Sequence, residues 1–148
     1  MSKFLQGFYK PINPHKVKGD VKNLIYRSSW ELKMFHDLDL DDNVIKYSSE
    51  EVVIGYRDCN GKLRRYFVDF YVERLVNGQL VKQLIEIKPY IQTIKPILTE
   101  GKKTKTKIKE VLTWDTNKRK WEEARRYCDK RGWQFLVMTE YELGIKKR

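Results

Sequence analysis

The 148-residue chain contains little histidine and cysteine, and this scarcity excludes several kinds of site. The two histidines, His15 and His36, do not combine with Cys59 and Cys128 at any spacing typical of a zinc site. No Cys-x-x-Cys pair occurs, and two separated cysteines do not indicate a disulfide framework. We therefore expect a reducing compartment.

The sequence also lacks long hydrophobic runs and has fewer acidic than basic residues. No segment approaches the ~20 apolar residues that a membrane-spanning helix needs, and the first twenty residues lack the apolar run of a signal peptide. We therefore expect no membrane partner. The 31 Lys and Arg outnumber the 20 Asp and Glu, which gives a formal charge of +11. This excess predicts a cytosolic protein with an anionic partner, most commonly nucleic acid.

The chain length and an apolar content of 41% fit one domain, residues 1–148, with enough apolar residues for a core. No internal repeat or long linker divides it. Residues 1–25 are basic and contain two prolines, Pro11 and Pro14, and two glycines, Gly7 and Gly19, so we expect an irregular basic N-terminal arm or wrapping segment.

A first helix is predicted after Ser28 or Ser29, either of which can serve as the N-cap. Glu31 follows Ser28 by three residues, as in a capping box, and the helix should end near Leu38 or Leu40. Glu31 falls on the apolar face of this helix, where a solvated glutamate is not expected. It is therefore either a capping residue or a member of a functional site.

Residues 50–88 show a β pattern with two hairpin signals, Asn60-Gly61 and Asn77-Gly78. We predict three consecutive strands that form an antiparallel meander. These strands are EVVIGYR, LRRYFVDFYVER and QLVKQLIEIK.

After Pro89 the segment 90–112 is predicted as a basic loop insertion, since Pro96 interrupts it and lysine dominates its second half. The segment is either a solvated connector or a contact surface for DNA phosphates. Its lysines are Lys102, Lys103, Lys105, Lys107 and Lys109.

A second helix is predicted from a cap at Asp115 or Thr116 to a stop at Gly132, followed by WQFLVMT as a short buried strand. Its apolar stripe consists of Trp121, Ala124 and Cys128. The predicted order of elements is α-β-β-β-α-β.

Two acids interrupt the most apolar strands. Asp69 lies within YFVDFYV, and a hairpin at Asn77-Gly78 places it opposite Glu86. Like charges at opposed positions are destabilising, so a divalent metal ion is the natural partner, with Lys88 on the same strand face as Glu86. The alternatives are an edge strand that exposes Asp69 and a surface ion pair between Glu86 and Lys88.

An acid on the first helix, an aspartate on the second strand and Glu-x-Lys on the third resemble the PD-(D/E)XK nuclease superfamily. The matching residues are Glu31, Asp69, Glu86 and Lys88, and Val68 stands where the superfamily usually has proline. The resemblance implies an α/β restriction-endonuclease-like core with a mixed central sheet flanked by helices.

Longer blocks, among them IYRSSWELK, RRYFVDFYVER and LIEIKP, resemble the head-completion nucleases of tailed phages, a family related to TnsA-type transposon endonucleases. The resemblance implies a DNA endonuclease that acts after the head is filled. It implies double-stranded DNA and other head, neck or packaging proteins as partners. The host cytoplasm during assembly is the implied location, with the virion as the alternative. The competing functions are a DNA-binding head or neck protein without cleavage activity and a TnsA-like or restriction endonuclease subunit.

Phosphodiester hydrolysis by this residue set requires Mg²⁺, for which Mn²⁺ can substitute. Asp69, Glu86 and the carbonyl of Ile87 are the expected ligands. Lys88 either orients or deprotonates the attacking water or offsets phosphate charge. Glu31 either binds a second metal ion or holds Lys88 through a bridging water.

Four further residues are weaker candidates. Arg27 begins the Arg-Ser-Ser-Trp-Glu block and is expected to bind DNA. Asn117 and Lys120 belong to an Asn-x-x-Lys-Trp pattern of the same family, and Asn117 falls on the buried stripe of its helix. For Asn117 and for Glu50, a structural role is favoured over a functional one.

Overall fold

The centre of the fold is a four-stranded mixed sheet with an α-helix against each face. The structure is a computed structural model that describes residues 5–98 and 100–148. The helices are α1 (Ser29–Leu40) and α2 (Thr104–Arg131), and 3-10 turns cover Pro14–Lys16 and Tyr90–Gln92. The strands are β1 (Gly7–Phe8), β2 (Ile25–Tyr26), β3 (Val44–Ser49), β4 (Val53–Arg57), β5 (Leu63–Phe67), β6 (Phe70–Val76), β7 (Gln79–Ile87) and β8 (Gln134–Met138). The predicted α/β class with a mixed sheet flanked by helices is confirmed.

The strand order of the central sheet is β3-β6-β7-β8. The pairs β3–β6 and β6–β7 are antiparallel, whereas β7–β8 is parallel. Asn77 and Gly78 connect β6 to β7 with φ angles of 51° and 78°, the positive values that a tight hairpin requires. The predicted hairpin at this position is therefore confirmed.

The two faces of the sheet bury different side chains, because neighbouring residues of a strand point in opposite directions. Phe70, Val72, Ile85 and Ile87 pack in one cluster against α1. Tyr71 and Leu84 pack in a second cluster against α2, together with the predicted stripe of Trp121, Ala124 and Cys128. Burial of these side chains fixes the register of β6 and β7.

The predicted three-strand meander is wrong in two respects. The run LRRYFVDFYVER is not one strand, since it breaks at Val68 and Asp69 between β5 and β6. The segment EVVIGYR supplies β4, which pairs only with β5 in a separate two-stranded sheet. In the central sheet, the position next to β6 that was predicted for EVVIGYR is occupied by β3 instead. No strand was predicted at β3, because its buried and exposed residues do not alternate regularly. The predicted buried last strand, β8, is a partly exposed edge strand.

The predicted basic loop insertion at 90–112 is shorter than expected, because α2 already begins at Thr104. Thr99 of this segment lies outside the described residues. No glycine or proline follows Gly101 until Gly132, so nothing interrupts the helix. Asp115 is not a cap; it lies inside the helix and forms an i,i+4 ion pair of 2.8 Å with Arg119. The predicted stop is confirmed, since Gly132 ends α2 with a φ of 70°.

No helix in the described part of the chain has the length and hydrophobicity that crossing a membrane requires.

The N-terminal segment is anchored at the end of α1 through Asp39, which is fully buried. Residues 1–4 of the predicted arm lie outside the described residues. The Asp39 carboxylate accepts hydrogen bonds from the Tyr9 hydroxyl, the Ile12 amide (2.7 Å) and the Asn13 amide (3.0 Å). The Lys16 ammonium donates to the Asp39 carbonyl at 2.8 Å. Burial favours the neutral carboxyl, but these hydrogen bonds outweigh it and lower the pKa of Asp39.

We predict that Asp39→Ala destabilises the protein by about 3 kcal/mol, because it leaves several buried donors without an acceptor. The free energy of unfolding, measured by urea denaturation, tests this. Asp42→Ala is the matched control, since Asp42 is an exposed acid three residues away. A loss no larger than that of the control would show that the N-terminal segment is held by apolar contacts alone.

Candidate active site

Asp69 and Glu86 lie side by side at one end of the central sheet. The β6–β7 register pairs Phe70 with Ile85, so Asp69 and Glu86 occupy the next opposed positions, as predicted. The Ile87 amide donates a hydrogen bond of 2.8 Å to Asp69 Oδ2, which fixes this carboxylate against the end of β7. The break between β5 and β6 places Asp69 there, because the chain leaves one sheet and enters another at this residue.

The electrostatics of this acid pair are unfavourable without a cation. Glu86 is 7% exposed, and its charge acts directly on Asp69. Burial, followed by the charge of Glu86, raises the pKa of Asp69 well above its ordinary value, and the Ile87 amide only partly opposes this. The pair therefore favours a shared proton or a bound cation.

Tyr66 is a site residue that the sequence reasoning missed. Its hydroxyl donates a hydrogen bond to Glu86 Oε2, and the side chain is 3% exposed. Burial and the neighbouring charge of Glu86 raise the pKa of the Tyr66 hydroxyl, which keeps it a donor. A signal was present: Tyr66 stands three residues before Asp69 in a largely apolar run, and a buried tyrosine hydroxyl usually has a polar partner.

Two lysines flank the acid pair from different elements. Lys88 follows β7 directly, is half-buried, and its backbone amide donates to the Met138 carbonyl at 3.0 Å. Lys120 reaches the same region from α2, with its Nζ 5.4 Å from the centre of the Tyr66 ring. Burial lowers the pKa of Lys120, the charge of Glu86 opposes this, and the charge of Lys88 adds to it. Because the charges of both Glu86 and Lys88 act on Lys120, this lysine lies in the same site, and α2 contributes a cation to it.

Glu31 occupies the predicted capping-box position, but its carboxylate accepts from the amide before the N-cap residue Ser28. The Ser28 hydroxyl accepts a hydrogen bond from the Glu31 amide at 3.2 Å, and Glu31 Oε2 accepts one from the Arg27 amide at 3.2 Å. Burial raises the pKa of Glu31, and the charge of Glu50 raises it further. The charge of Glu31 also contributes to the raised pKa of Asp69. Glu31 therefore has both features: it caps α1 and it belongs to the acidic environment of the pair.

Glu50 adopts a φ of 58°, which is uncommon for a residue other than glycine. Its amide donates to the Asp69 carbonyl at 3.1 Å, and its carboxylate forms an ion pair with Arg27. The backbone of Glu50 thus holds the chain at Asp69, and its side chain engages the guanidinium that was predicted to bind DNA.

Asn117 is buried on α2, as its position on the apolar stripe predicted, and its Nδ2 has no hydrogen-bond partner among the described residues. It contributes to the lining of a cavity of about 520 Å³ between segment 91–97 and the first half of α2. This cavity does not include Asp69, Glu86 or Lys88.

The predicted DNA-binding lysines lie along the start of α2 rather than in a loop. Lys105, Lys107 and Lys109 are in the helix, and Lys103 precedes its first residue. Lys102 forms an ion pair of 2.7 Å with Glu110, which offsets part of its charge. The charge of this region is therefore carried on a helix surface.

The donor set suits a small divalent cation. Within residues 5–98 and 100–148, no three His, Cys, Asp or Glu side chains converge closely enough to enclose a metal ion. The adjacent carboxylates of Asp69 and Glu86 provide oxygen donors only. Mg²⁺ prefers oxygen ligands, is commonly held by one or two carboxylates, and retains several waters. Burial and the charge of Glu86 raise the pKa of Asp69, so a cation bound at this position would favour the ionised carboxylate.

Comparison with known proteins identifies the class. Residues 41–140 match the family model described as the N-terminal domain of TnsA-like endonucleases. The chain belongs to this family and is an endonuclease. It is 39% identical over 139 residues to the head completion nuclease of Enterobacteria phage T4, a match that covers 90% of each chain. The resemblance predicted from the sequence blocks is confirmed.

We predict that Asp69→Asn stabilises the metal-free protein at about pH 8, because asparagine keeps an acceptor for the Ile87 amide but removes the charge opposed to Glu86. The folded-state pKa of Asp69 is raised, so its ionisation penalty is absent at low pH and grows as the pH rises through that pKa. The stability difference should therefore vanish near pH 3, below the ordinary aspartate pKa of about 3.9. Urea denaturation in a chelator measures it.

Asp37→Asn provides the control, since Asp37 is an exposed acid paired with Lys33 at 3.0 Å. Added Mg²⁺ should raise the melting temperature of the wild type and of this control, but not of Asp69→Asn. A destabilised Asp69→Asn at about pH 8 in chelator would contradict the repulsion between the two acids.

Proposed function

We propose that this chain is a Mg²⁺-dependent DNA endonuclease of the PD-(D/E)XK type, with a restriction-endonuclease-like core formed by residues 1–148 as one domain. The observation that carries the proposal is the juxtaposition of Asp69 and Glu86 at the end of the sheet, with Lys88 two residues after Glu86 and directly after β7. The family membership supports the nuclease class, and the charge of +11 supports a nucleic-acid substrate.

Asp69, Glu86 and the Ile87 carbonyl are proposed to hold the metal ion, with Mn²⁺ as a substitute for Mg²⁺. When bound, the ion neutralises charge on the scissile phosphate and lowers the pKa of water. Tyr66 holds the Glu86 carboxylate in place, and the Ile87 amide does the same for Asp69. Both carboxylates are thus oriented by groups that are already part of the fold, which reduces the ordering needed during binding.

Lys88 is proposed to act on the attacking water or on the phosphate. In the reaction, the oxygen of water bonds to phosphorus, a phosphorus–ester oxygen bond breaks, and the leaving oxygen takes up a proton. Lys120 provides a second cation on the α2 side of the acids. Burial lowers the pKa of Lys120, but the charge of Glu86 favours its protonated form. This attraction, with the distance of 5.4 Å between Lys120 Nζ and the centre of the Tyr66 ring, supports a role in offsetting the charge around Glu86.

Glu31, Glu50 and Asn117 are proposed as auxiliary residues. Glu31 contributes charge near Asp69, either for a second metal ion or to hold Lys88 through water. Glu50 positions the Asp69 backbone and Arg27 through the contacts described above. Asn117 has a buried amide available for a partner from outside the chain.

Double-stranded DNA is the proposed substrate, and the basic start of α2, residues 102–109, is proposed to contact its phosphates together with Arg27. The similarity to a head completion nuclease supports action on packaged DNA during phage head completion. We accordingly place the protein in the host cytoplasm during assembly, with other head, neck or packaging proteins as partners and the mature virion as a second location.

We predict that Lys88→Ala and Lys88→Arg reduce Mg²⁺-dependent plasmid cleavage by ~10²–10⁴-fold, because a positioned proton acceptor or charge partner is lost. Arginine does not rescue activity, since its guanidinium is larger, planar and permanently protonated. DNA affinity, measured in chelator, should remain close to that of the wild type. Lys130→Ala is the control, since Lys130 is an exposed lysine in the last turn of α2.

A parallel loss of DNA affinity and cleavage in Lys88→Ala would make Lys88 a binding residue. Wild-type protein that cuts no DNA with either Mg²⁺ or Mn²⁺ would favour a DNA-binding head or neck protein instead.

Glu31→Gln separates the two roles of Glu31. Glutamine keeps an oxygen acceptor for the Arg27 amide, so the helix cap and the melting temperature should change little. We predict at least a tenfold loss of cleavage, because the charge near Asp69 disappears. Unchanged cleavage would restrict Glu31 to capping, and Ser28→Ala is the matched variant that weakens the same cap by about 1 kcal/mol without altering charge.

A further inference from the structure

The two-stranded sheet of β4 and β5, residues 53–67, is separate from the central sheet and is here called the ribbon. Its inner face is buried: Ile54, Tyr56 and Tyr66 pack in the cluster that includes Trp121 and Ala124 of α2. The inner face therefore fixes the ribbon to the body of the protein and leaves the outer face without a partner among the described residues.

The outer face consists of three cross-strand pairs that are all exposed. These pairs are Val53–Phe67, Gly55–Arg65 and Arg57–Leu63. Leu63 and Phe67 are 63% and 46% exposed, which is high for large apolar side chains. Arginine thus alternates with apolar side chains along this face, so no continuous apolar patch of the kind that favours a protein partner is formed.

The ribbon also carries excess positive charge. Arg64 is neutralised by an ion pair of 2.9 Å with Asp58. Arg57, Lys62 and Arg65 are exposed, and none of them forms an ion pair with a carboxylate in the described part of the chain. Three uncompensated cations on a narrow two-stranded element match an anionic, groove-shaped partner.

The ribbon is linked directly to the acid pair. Tyr66 on its inner face donates to Glu86, and Asp69 follows Phe67 by two residues. At about 3.3 Å per strand residue, Arg65 lies roughly 13 Å and Leu63 roughly 20 Å along the chain from Asp69. These distances correspond to about four to six base-pair steps of 3.4 Å, so one duplex can contact the acid pair and the ribbon together.

We propose that the ribbon enters the major groove of the duplex beside the cleaved bond, an inference that rests on the proposed function. The major groove is about 12 Å wide and admits a two-stranded β-ribbon, whereas the minor groove, at about 6 Å, does not. Arg57 and Arg65 face guanine edges or phosphates, and Leu63 and Phe67 supply apolar contacts of the kind made with thymine methyl groups. Tyr66 couples this contact to the orientation of Glu86.

The test compares wild type with Arg57→Gln/Arg65→Gln in fluorescence-anisotropy titrations against a linear duplex, in chelator so that no cleavage occurs. The matched control is Lys146→Gln/Lys147→Gln, which removes the same charge from exposed positions near the C-terminus. We expect the ribbon variant to bind at least about tenfold more weakly and its slope of log K against log[salt] to fall by about 1.8, whereas the control changes little.

A second measurement identifies the groove. Methyl green, which occupies the major groove, should displace wild type from the duplex, whereas the minor-groove ligand distamycin should not. Gly55→Glu should also weaken binding, because a Cβ added at Gly55 has ordinary contact with Leu63 Cδ1 at 3.6 Å and the glutamate lies opposite Arg65 on the paired strand. Circular dichroism verifies that each variant is folded.

Equal effects of the ribbon variant and its control would overturn the proposal, as would displacement by distamycin alone. Binding by the ribbon to a head protein but not to DNA would also overturn it. Cleavage of plasmid DNA by wild type with Mg²⁺ is scored separately, so failure of the endonuclease assignment is distinguishable from failure of the groove contact.

Discussion

The opposed positions of two carboxylates, Asp69 and Glu86, form the constraint on which the rest of the site depends. Like charges at opposed strand positions are destabilising, and burial increases the penalty by weakening solvation. The surrounding fold offsets this penalty: Tyr66 donates to one carboxylate, the Ile87 amide donates to the other, and Lys120 lies nearby. Apolar clusters on both faces of the sheet hold β6 and β7 in the register that keeps the acids together. The packing of the two apolar clusters therefore keeps Asp69 and Glu86 together, although their proximity is unfavourable by itself.

Local signals in the sequence predicted the elements that depend on a few residues. The Ser28 cap, the Asn77-Gly78 turn and the Gly132 stop each have a specific backbone or hydrogen-bond requirement, and each is found in the structure. Two elements without such signals were misjudged. None of the α2 residues before Asn117 is buried, and the lysine-rich composition of this stretch indicated a loop rather than a helix. The assignment of β3 to the central sheet depends on contacts with β6, which no local pattern encodes.

The candidate site was predictable to the extent that one hairpin determines it. The turn at Asn77-Gly78 fixes the register of β6 and β7, and the register alone brings Asp69 and Glu86 together. Tyr66 and Lys120 reach Glu86 from a separate ribbon and from α2, so their positions depend on tertiary packing. Glu31 shows a different limit: its pattern left a helix cap and an acid of the functional site as alternatives, whereas the structure gives it both features.

The parallel pairing of β8 with β7 has a consequence for the order in which the protein assembles. Parallel strands need a long crossover, here α2, and β8 pairs Met138 with Ile87 across a wide separation in sequence. Such distant contacts form late, because the intervening chain must first be ordered. The acids are synthesised early, whereas the helix that carries Lys120 and the strand that holds the Lys88 amide follow. A nascent chain therefore contains the acidic residues before it contains the surroundings that organise them.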